Sequence, residues 1–188
     1  FFVRFSTFVS DLIMAKKVAI LAVNPVNGMG LFQYLEAFFE NGIEYKTFAV
    51  ADSREIKTNS GVTLIVDDVV ANLRGKEDEF DAVVFGCGDA IPKFSENAGK
   101  QYNQDMLAVL KAFADKGKLI AGHCAAALML DTVGAIDGKK VAVHPYGKPA
   151  IKKGIATDEK FEIDGNIYTA QTENSIWTLM PELLKALK

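Results

Sequence analysis

The chain reads as an α/β protein, a three-layer sandwich with a mostly parallel central sheet and helices on both faces. Three observations predict this. Short apolar runs such as Val18–Val23, Phe80–Phe85 and Leu119–Ala121 alternate with segments of helical periodicity, the pattern of strands buried on both sides of a parallel sheet. The last of these runs passes through Gly122-His123 to Cys124, and an Ala/Leu-rich helix pattern begins at once. A strand feeding a helix with no loop between them forces a strained bend, the geometry of a nucleophile elbow, here with cysteine at the tip. Finally, 188 residues with 49% hydrophobic and 24% charged side chains suit one compact domain with a sizeable core.

The elements follow in order. Val18–Val23 is a fully apolar strand ended by Asn24-Pro25; Leu31, Leu35, Phe38 and Phe39 then recur at helical spacing until Asn41-Gly42 stops the helix. Ile43–Val50 is a second strand, and Gly61–Val66 a third, near an edge of the sheet, followed by a short helix around Asp68–Leu73. Phe80–Phe85 runs into Gly86-Cys87-Gly88-Asp89. A helix from Tyr102 to Asp115 carries Met106, Val109, Leu110 and Phe113 on one face. After the elbow and its helix come a strand at Val141–Val143 and a basic segment, Lys148–Lys153. Phe161–Ile163 and Ile167–Ala170 then flank Asp164-Gly165-Asn166, a hairpin signal. Asn174–Leu187 closes the chain as an amphipathic helix in which Pro181 predicts a kink or break. No repeat, linker or low-complexity tract divides residues 14–188. The aromatic-rich stretch 1–13 precedes an ordinary-looking start at Met14-Ala15-Lys16-Lys17, reads as an extension, and is set aside from the fold.

Composition narrows the function. A net charge of -3 and scattered basic residues give no electrostatic footprint for nucleic acid. No apolar stretch approaches the roughly 18 residues of a membrane span. Two cysteines, Cys87 and Cys124, are too few for a disulfide scaffold and point to a reducing, cytoplasmic setting. Two histidines and two cysteines make no convincing zinc site, so no metal is expected. Asn27-Gly28-Met29-Gly30 follows a strand but lacks the dinucleotide-binding spacing, so no cofactor is expected either.

Ligands of a parallel sheet bind beyond the carboxyl ends of its strands. The strand exits, Asn24–Gly30, Gly86–Asp89, His123–Ala125, His144–Gly147 and Gln171–Asn174, hold both histidines and both cysteines. That concentration marks the site.

The elbow Gly122-His123-Cys124-Ala125, the exit Gly86-Cys87-Gly88-Asp89 and His144-Pro145 twenty positions after the cysteine together resemble the ThiJ/PfpI family, whose fold is that of the class I glutamine amidotransferases. The resemblance covers Lys17–Leu187. It implies Cys124 as nucleophile, the Ala125 and Gly88 amides as an oxyanion hole, and His144 as the assisting imidazole. The family includes peptidases, chaperones, glyoxalase- or deglycase-type enzymes, isocyanide hydratases and redox sensors, so the shared architecture does not choose an activity. It also implies a homodimer or higher homo-oligomer acting on a small molecule or peptide.

Each residue also has a plainer reading. Cys124 could be a small buried hydrophobe, Gly88 a turn glycine, and His144 a strand-end cap. His123 precedes the cysteine, whereas some peptidase-like relatives carry a histidine after it. Neighbours in a strand point to opposite faces, so His123 is as readily a packing residue as a base. Relatives usually carry a Glu after the first strand, hydrogen-bonded to the cysteine; here no carboxylate occurs between Ala22 and Leu35, and that position falls on or near Gly30. Asn27 can bond there but carries no acid proton. Glu173 and Asp89 are the remaining acids that could enter the pocket, or simply loop charges. Pro145-Tyr146 after His144 departs from the amidotransferase triad and disfavours glutaminase activity. Cys87, where relatives often have Gly, could face Cys124 and form a reversible disulfide or resolve a sulfenic acid, or merely fill space. Two classes therefore stand: a cysteine hydrolase or amidase, and a redox or stress protein of the same fold with little or no catalysis.

Overall fold

Six consecutive apolar residues, Val18–Val23, form β1, and all six are buried, which places this strand in the centre of the sheet. The computed structural model describes residues 16–188; the expected extension at 1–13 and the domain start at Met14 lie outside the described residues. The chain leaves β1 through Asn24-Pro25 and enters α1 (Gly28–Glu40). There the Asn27 side chain accepts the Gly30 amide at 2.6 Å, satisfying a donor the first turn leaves orphaned. Leu31, Tyr34, Ala37 and Phe38 form the buried face of α1, and full burial of rings like Tyr34 and Phe38 is worth about 2 kcal/mol each.

The remaining elements are β2 (Tyr45–Val50), β3 (Glu55–Lys57), β4 (Thr63–Ile65), β5 (Asp68–Val69), β6 (Ala82–Gly86), α2 (Phe94–Asn97), α3 (Gln101–Asp115), β7 (Leu119–His123), α4 (Ala126–Thr132), β8 (Lys140–Ala142), β9 (Ile155–Thr157), β10 (Phe161–Asp164), β11 (Ile167–Ala170) and α5 (Ile176–Leu187). The main sheet has seven strands in the order β10-β11-β7-β6-β1-β2-β5. All neighbours are parallel except the β10–β11 hairpin at one edge. Helix α1 packs with α5, and α3 with α4. The two pairs flank opposite faces, as right-handed crossovers demand when the chain moves outward from β1 in one direction and from β6 in the other.

Three expectations are corrected. The strand expected over Gly61–Val66 near the sheet edge is β4, which pairs with β3 in a separate two-stranded hairpin. Its Thr63 and Ile65 are exposed, so it has no buried face with which to join the sheet. The short helix expected around Asp68–Leu73 divides into the edge strand β5 and a 3-10 turn, Val70–Leu73. Pro181 does not break the closing helix into two elements: α5 runs unbroken from Ile176 to Leu187. The amide that proline lacks would have bonded to Trp177, which lies on the solvent side at 56% exposure, where water can take the released carbonyl.

The order of strands reverses between β1 and β6. Their exit loops part there, leaving the crevice in which ligands of open α/β sheets bind.

Candidate active site

At the β7 exit, Cys124 adopts φ 58°, and it is the one non-glycine residue with positive φ among the described residues. For a residue with a Cβ the left-handed conformation costs of order 1–2 kcal/mol, so the surroundings must hold it. They do so through the backbone: the Cys124 N–H donates to the Ala170 carbonyl at 3.1 Å, and its carbonyl accepts the His144 N–H at 3.0 Å. The elbow is thus tied to the exit of β11 on one side and to the segment after β8 on the other.

The bend opens onto a cavity of about 490 Å³ whose walls include Asn27, Cys87, Gly88, Asp89, Cys124, Ala125, His144 and Glu173. Eight of the nine residues singled out in the sequence therefore converge. A neighbouring cavity of about 480 Å³, beside Pro25 and Tyr102, has no thiol or imidazole in its walls. The apolar wall of the first cavity comes from Ile91, Pro92 and Leu128, with Asn59 and Tyr146 at polar positions. Sequence reasoning missed these five. Only Tyr146 carried a signal, through its place beside His144-Pro145.

Gly88 is required by close approach. A Cβ there would run into the Pro25 carbonyl oxygen and lie 2.5 Å from the Val26 Cα and 2.7 Å from the Asn27 amide. The exits of β1 and β6 touch through this point, locked by the Asn27 N–H donating to the Cys87 carbonyl at 2.9 Å. Asn27 is occupied in the same way: its side-chain oxygen caps α1.

The two thiols meet. In the β6–β7 register Phe85 faces Gly122, so two residues further on Cys87 faces Cys124. A hydrogen bond from the Cys87 thiol holds the Cys124 thiol below its ordinary range, and the Ala125 amide adds to this. Burial and the negative charges of Glu173 and Asp89 oppose it. Cys87 goes the other way: its bond to Cys124, its burial and the Cys124 charge raise it, against the Ala125 and Gly88 amides, which donate toward its sulfur. Cys87 is 1% exposed and Cys124 partly so; Cys124 is accordingly the thiol that ionises first. The largest influence on the Cys124 thiol thus comes from a second thiol, while the two nearby carboxylates act on it only through their charge.

His144 accepts the Tyr146 N–H at Nδ1, 3.3 Å away, and its ring stacks on Tyr146 at 5.2 Å between centroids. A neutral ring held this way carries its proton on Nε2. No carboxylate bonds to His144 among the described residues. The Glu173 backbone carbonyl accepts from the Gln33 amide at 2.9 Å, fixing the loop that brings its side chain to the cavity.

His123 stands apart, as alternation along a strand requires. Its ring is buried against Tyr34, 5.8 Å between centroids, with the Tyr34 hydroxyl 3.4 Å from Nδ1. Nε2 has no partner among the described residues, and it faces Gly30, where a Cβ would collide with it. Burial pushes His123 down to about 4, so it is neutral at pH 7. It is a packing residue of the α1 face.

Among the described residues no cluster of three or more His, Cys, Asp or Glu could hold a metal ion, and no helix is long and apolar enough to cross a membrane.

An elbow cysteine beyond the carboxyl edge of a parallel sheet, ringed by the exits of β1, β6 and β11, defines the class of protein. Residues 16–186 match the DJ-1/PfpI family, and the chain belongs to it. It is 68% identical over 175 residues to protein ppBat of Bacteroides thetaiotaomicron, covering 93% of this chain and 100% of that one. A second relative, the uncharacterized protein MJ0967 of Methanocaldococcus jannaschii, is 24% identical over 178 residues, covering 93% and 83%. Among solved structures, the "putative protease I" from Bacteroides thetaiotaomicron superposes with TM-score 0.92 at 68% identity, covering 93% and 100% of the two chains. DJ-1beta from Drosophila melanogaster shares the fold, with TM-score 0.79 at 21% identity over 93% and 91%.

Proposed function

We propose that the protein is a cysteine-dependent hydrolase or amidase in which Cys124 is the nucleophile, acting on an amide, ester or hemithioacetal-like adduct of a small molecule or peptide. The observation that carries this reading is the left-handed Cys124 at the elbow tip, in the wall of the cavity with its thiol lowered. The thiolate attacks a carbonyl carbon; the oxyanion that develops draws on the Ala125 and Gly88 N–H groups. The leaving group takes a proton from cavity water while the His144 Nε2–H donates a hydrogen bond to it; water then attacks the thioester carbonyl, the C–S bond breaks, and the water proton goes to the departing Cys124 sulfur as the acid is released. Asp89 and Glu173 stand in a cavity wall that contains no Lys or Arg, which favours neutral or cationic substrates over anionic ones.

One observation favours the second reading, a redox protein with little hydrolysis. The Ala125 and Gly88 amides already point at the Cys87 sulfur, and a substrate oxygen must share them.

Turnover of p-nitrophenyl esters and peptide amides tests the hydrolase. Wild type is expected to release product with a burst, and Cys124→Ala to release none. Equal rates in the two proteins overturn the reading. A cytoplasmic homodimer belongs to the same proposal, and light scattering reads the dimer as twice the 20.5 kDa chain mass.

A further inference from the structure

We propose that Cys87 is a resolving thiol, so that the protein reduces hydroperoxides at Cys124 and closes an internal Cys87–Cys124 disulfide. The proposal shares with the hydrolase reading a reactive Cys124 thiolate and adds a covalent role for the second cysteine, which hydrolysis uses only to lower the Cys124 thiol.

Three features carry it. First, the two residues leave adjacent parallel strands at the same level: the β6–β7 register pairs Phe85 with Gly122, and Cys87 and Cys124 each follow two positions on, in the wall of one cavity. Neighbouring strands lie about 4.8 Å apart, a spacing compatible with the roughly 4.4–6.8 Å between Cα atoms that a disulfide needs. Each thiol shifts the ionisation of the other. Second, access is divided between them. Cys124 reaches the cavity, whereas Cys87 is 1% exposed, so an oxidant entering the cavity meets Cys124 first. Third, the chain has two cysteines, so an internal disulfide has one possible pairing.

The chemistry balances. The Cys124 thiolate attacks one peroxide oxygen and the O–O bond breaks. Sulfur is oxidised to the sulfenic acid, and the second oxygen leaves with a proton as water or an alcohol. The Cys87 sulfur then attacks the Cys124 sulfur; the S–O bond breaks, and the hydroxide departs as water with the proton that Cys87 gives up. Two thiols and one peroxide thus give one disulfide, one water and one water or alcohol, and an external dithiol restores the thiols. The order of steps is built in. While Cys124 is a thiolate, its bond and charge keep the proton on Cys87. Once it is a neutral sulfenic acid that restraint is gone, and the Ala125 and Gly88 amides aimed at the Cys87 sulfur favour the attacking thiolate.

The test is hydrogen peroxide titration of the whole chain at low protein concentration, read by intact mass, thiol counting and a non-reducing gel. Wild type is expected to lose the mass of two hydrogen atoms, one disulfide per peroxide, and to regain both thiols with dithiothreitol. Cys87→Ala and Cys87→Ser are each expected to gain oxygen atoms on Cys124 instead, forming sulfinate roughly tenfold faster than wild type. The proposal falls if wild type keeps a free Cys87 thiol while Cys124 gains oxygen, or if wild type and the Cys87 variants form sulfinate at equal rates. In either case, normal iodoacetamide alkylation of Cys124 leaves the hydrolase reading standing. A Cys124 that is neither alkylated nor oxidised in the folded protein overturns both.

Discussion

Acidification should cost this protein stability through one buried imidazole. His123 is neutral in the fold and pushed down to about 4 by burial, whereas in the unfolded chain it titrates near 6.5. Above that value both states carry a neutral ring and the burial term is fully present. As pH falls from about 6.5 toward 4 the unfolded chain takes up a proton that the folded one refuses, and stability drops by up to about 1.4 kcal/mol per pH unit. Between pH 7 and pH 4.5 the loss amounts to about 2 kcal/mol, approaching about 3 kcal/mol once both states are protonated. The comparison protein is His123→Leu, which removes the titration; the Tyr34 hydroxyl loses its partner at position 123, an offset that does not vary with pH in this window and so leaves the difference in slope intact. Urea unfolding at a series of pH values gives the two stability curves. Carboxylates whose folded forms are also favoured, such as Asp68 and Asp131, contribute equally to both proteins and cancel in the difference. Wild type should therefore lose about 2 kcal/mol more than the variant across this window. Parallel curves would refute the argument, since they would mean that the ring exchanges protons freely in the fold.

Three further outcomes follow from the geometry. Cys87→Ala removes a hydrogen bond to a charged sulfur. At the low end of such contributions, about 1.5 kcal/mol for a partly exposed group, the Cys124 profile for iodoacetamide alkylation moves up by about one pH unit; superimposable profiles would contradict the pairing. Gly88→Ala drives a methyl group into the backbone of Pro25, Val26 and Asn27. It should lower the urea midpoint by the equivalent of about 2–3 kcal/mol at unchanged slope, and a change below about 0.5 kcal/mol counts against the contact. The Asp131 carboxylate accepts the amides of Lys152, Lys153 and Gly154, each at 2.9 Å. Burial raises this carboxyl, but those three amides more than offset it, leaving it below the ordinary carboxylate range. Asp131→Asn should cost about 1.5–3 kcal/mol at neutral pH. The gap between the proteins should close as pH falls through the lowered carboxyl value, because that stability exists only while the carboxylate is charged. A gap that persists at pH 3 would show that shape, not charge, makes the contact.

What the residues reveal in advance depends on whether the deciding force is local. The uninterrupted apolar run of β1 and the strand-to-helix junction at Cys124 announce themselves, because burial on both faces and a turn without loop residues both leave a sequence pattern. The hairpin of β3 and β4 does not. Glu55 and Lys57 are exposed around a buried Ile56, too short an alternation to register, and its partner is chosen by tertiary contact. Pro181 misleads for a related reason: its rule concerns the missing hydrogen bond, while the environment of the orphaned carbonyl is set by packing. At the site, the strand-exit rule gathers eight residues that line one cavity, yet no local signal shows that a thiol rather than an acid acts most strongly on Cys124. The parallel register that sets Cys87 opposite it joins residues 37 positions apart, and such a pairing leaves no mark in either segment.

The empty side chain of Gly30 has a consequence for engineering. The resemblance places the family's acid on or near this position, but here the His123 ring occupies the room that any side chain at 30 would need. Introducing Glu at position 30 alone would collide with a ring packed against Tyr34. The two positions are therefore coupled: a side chain at 30 requires position 123 to be vacated first or replaced at the same time. An acid-assisted cysteine can be engineered into this fold only as a paired change, and the single change at 123 leaves a hole in the core.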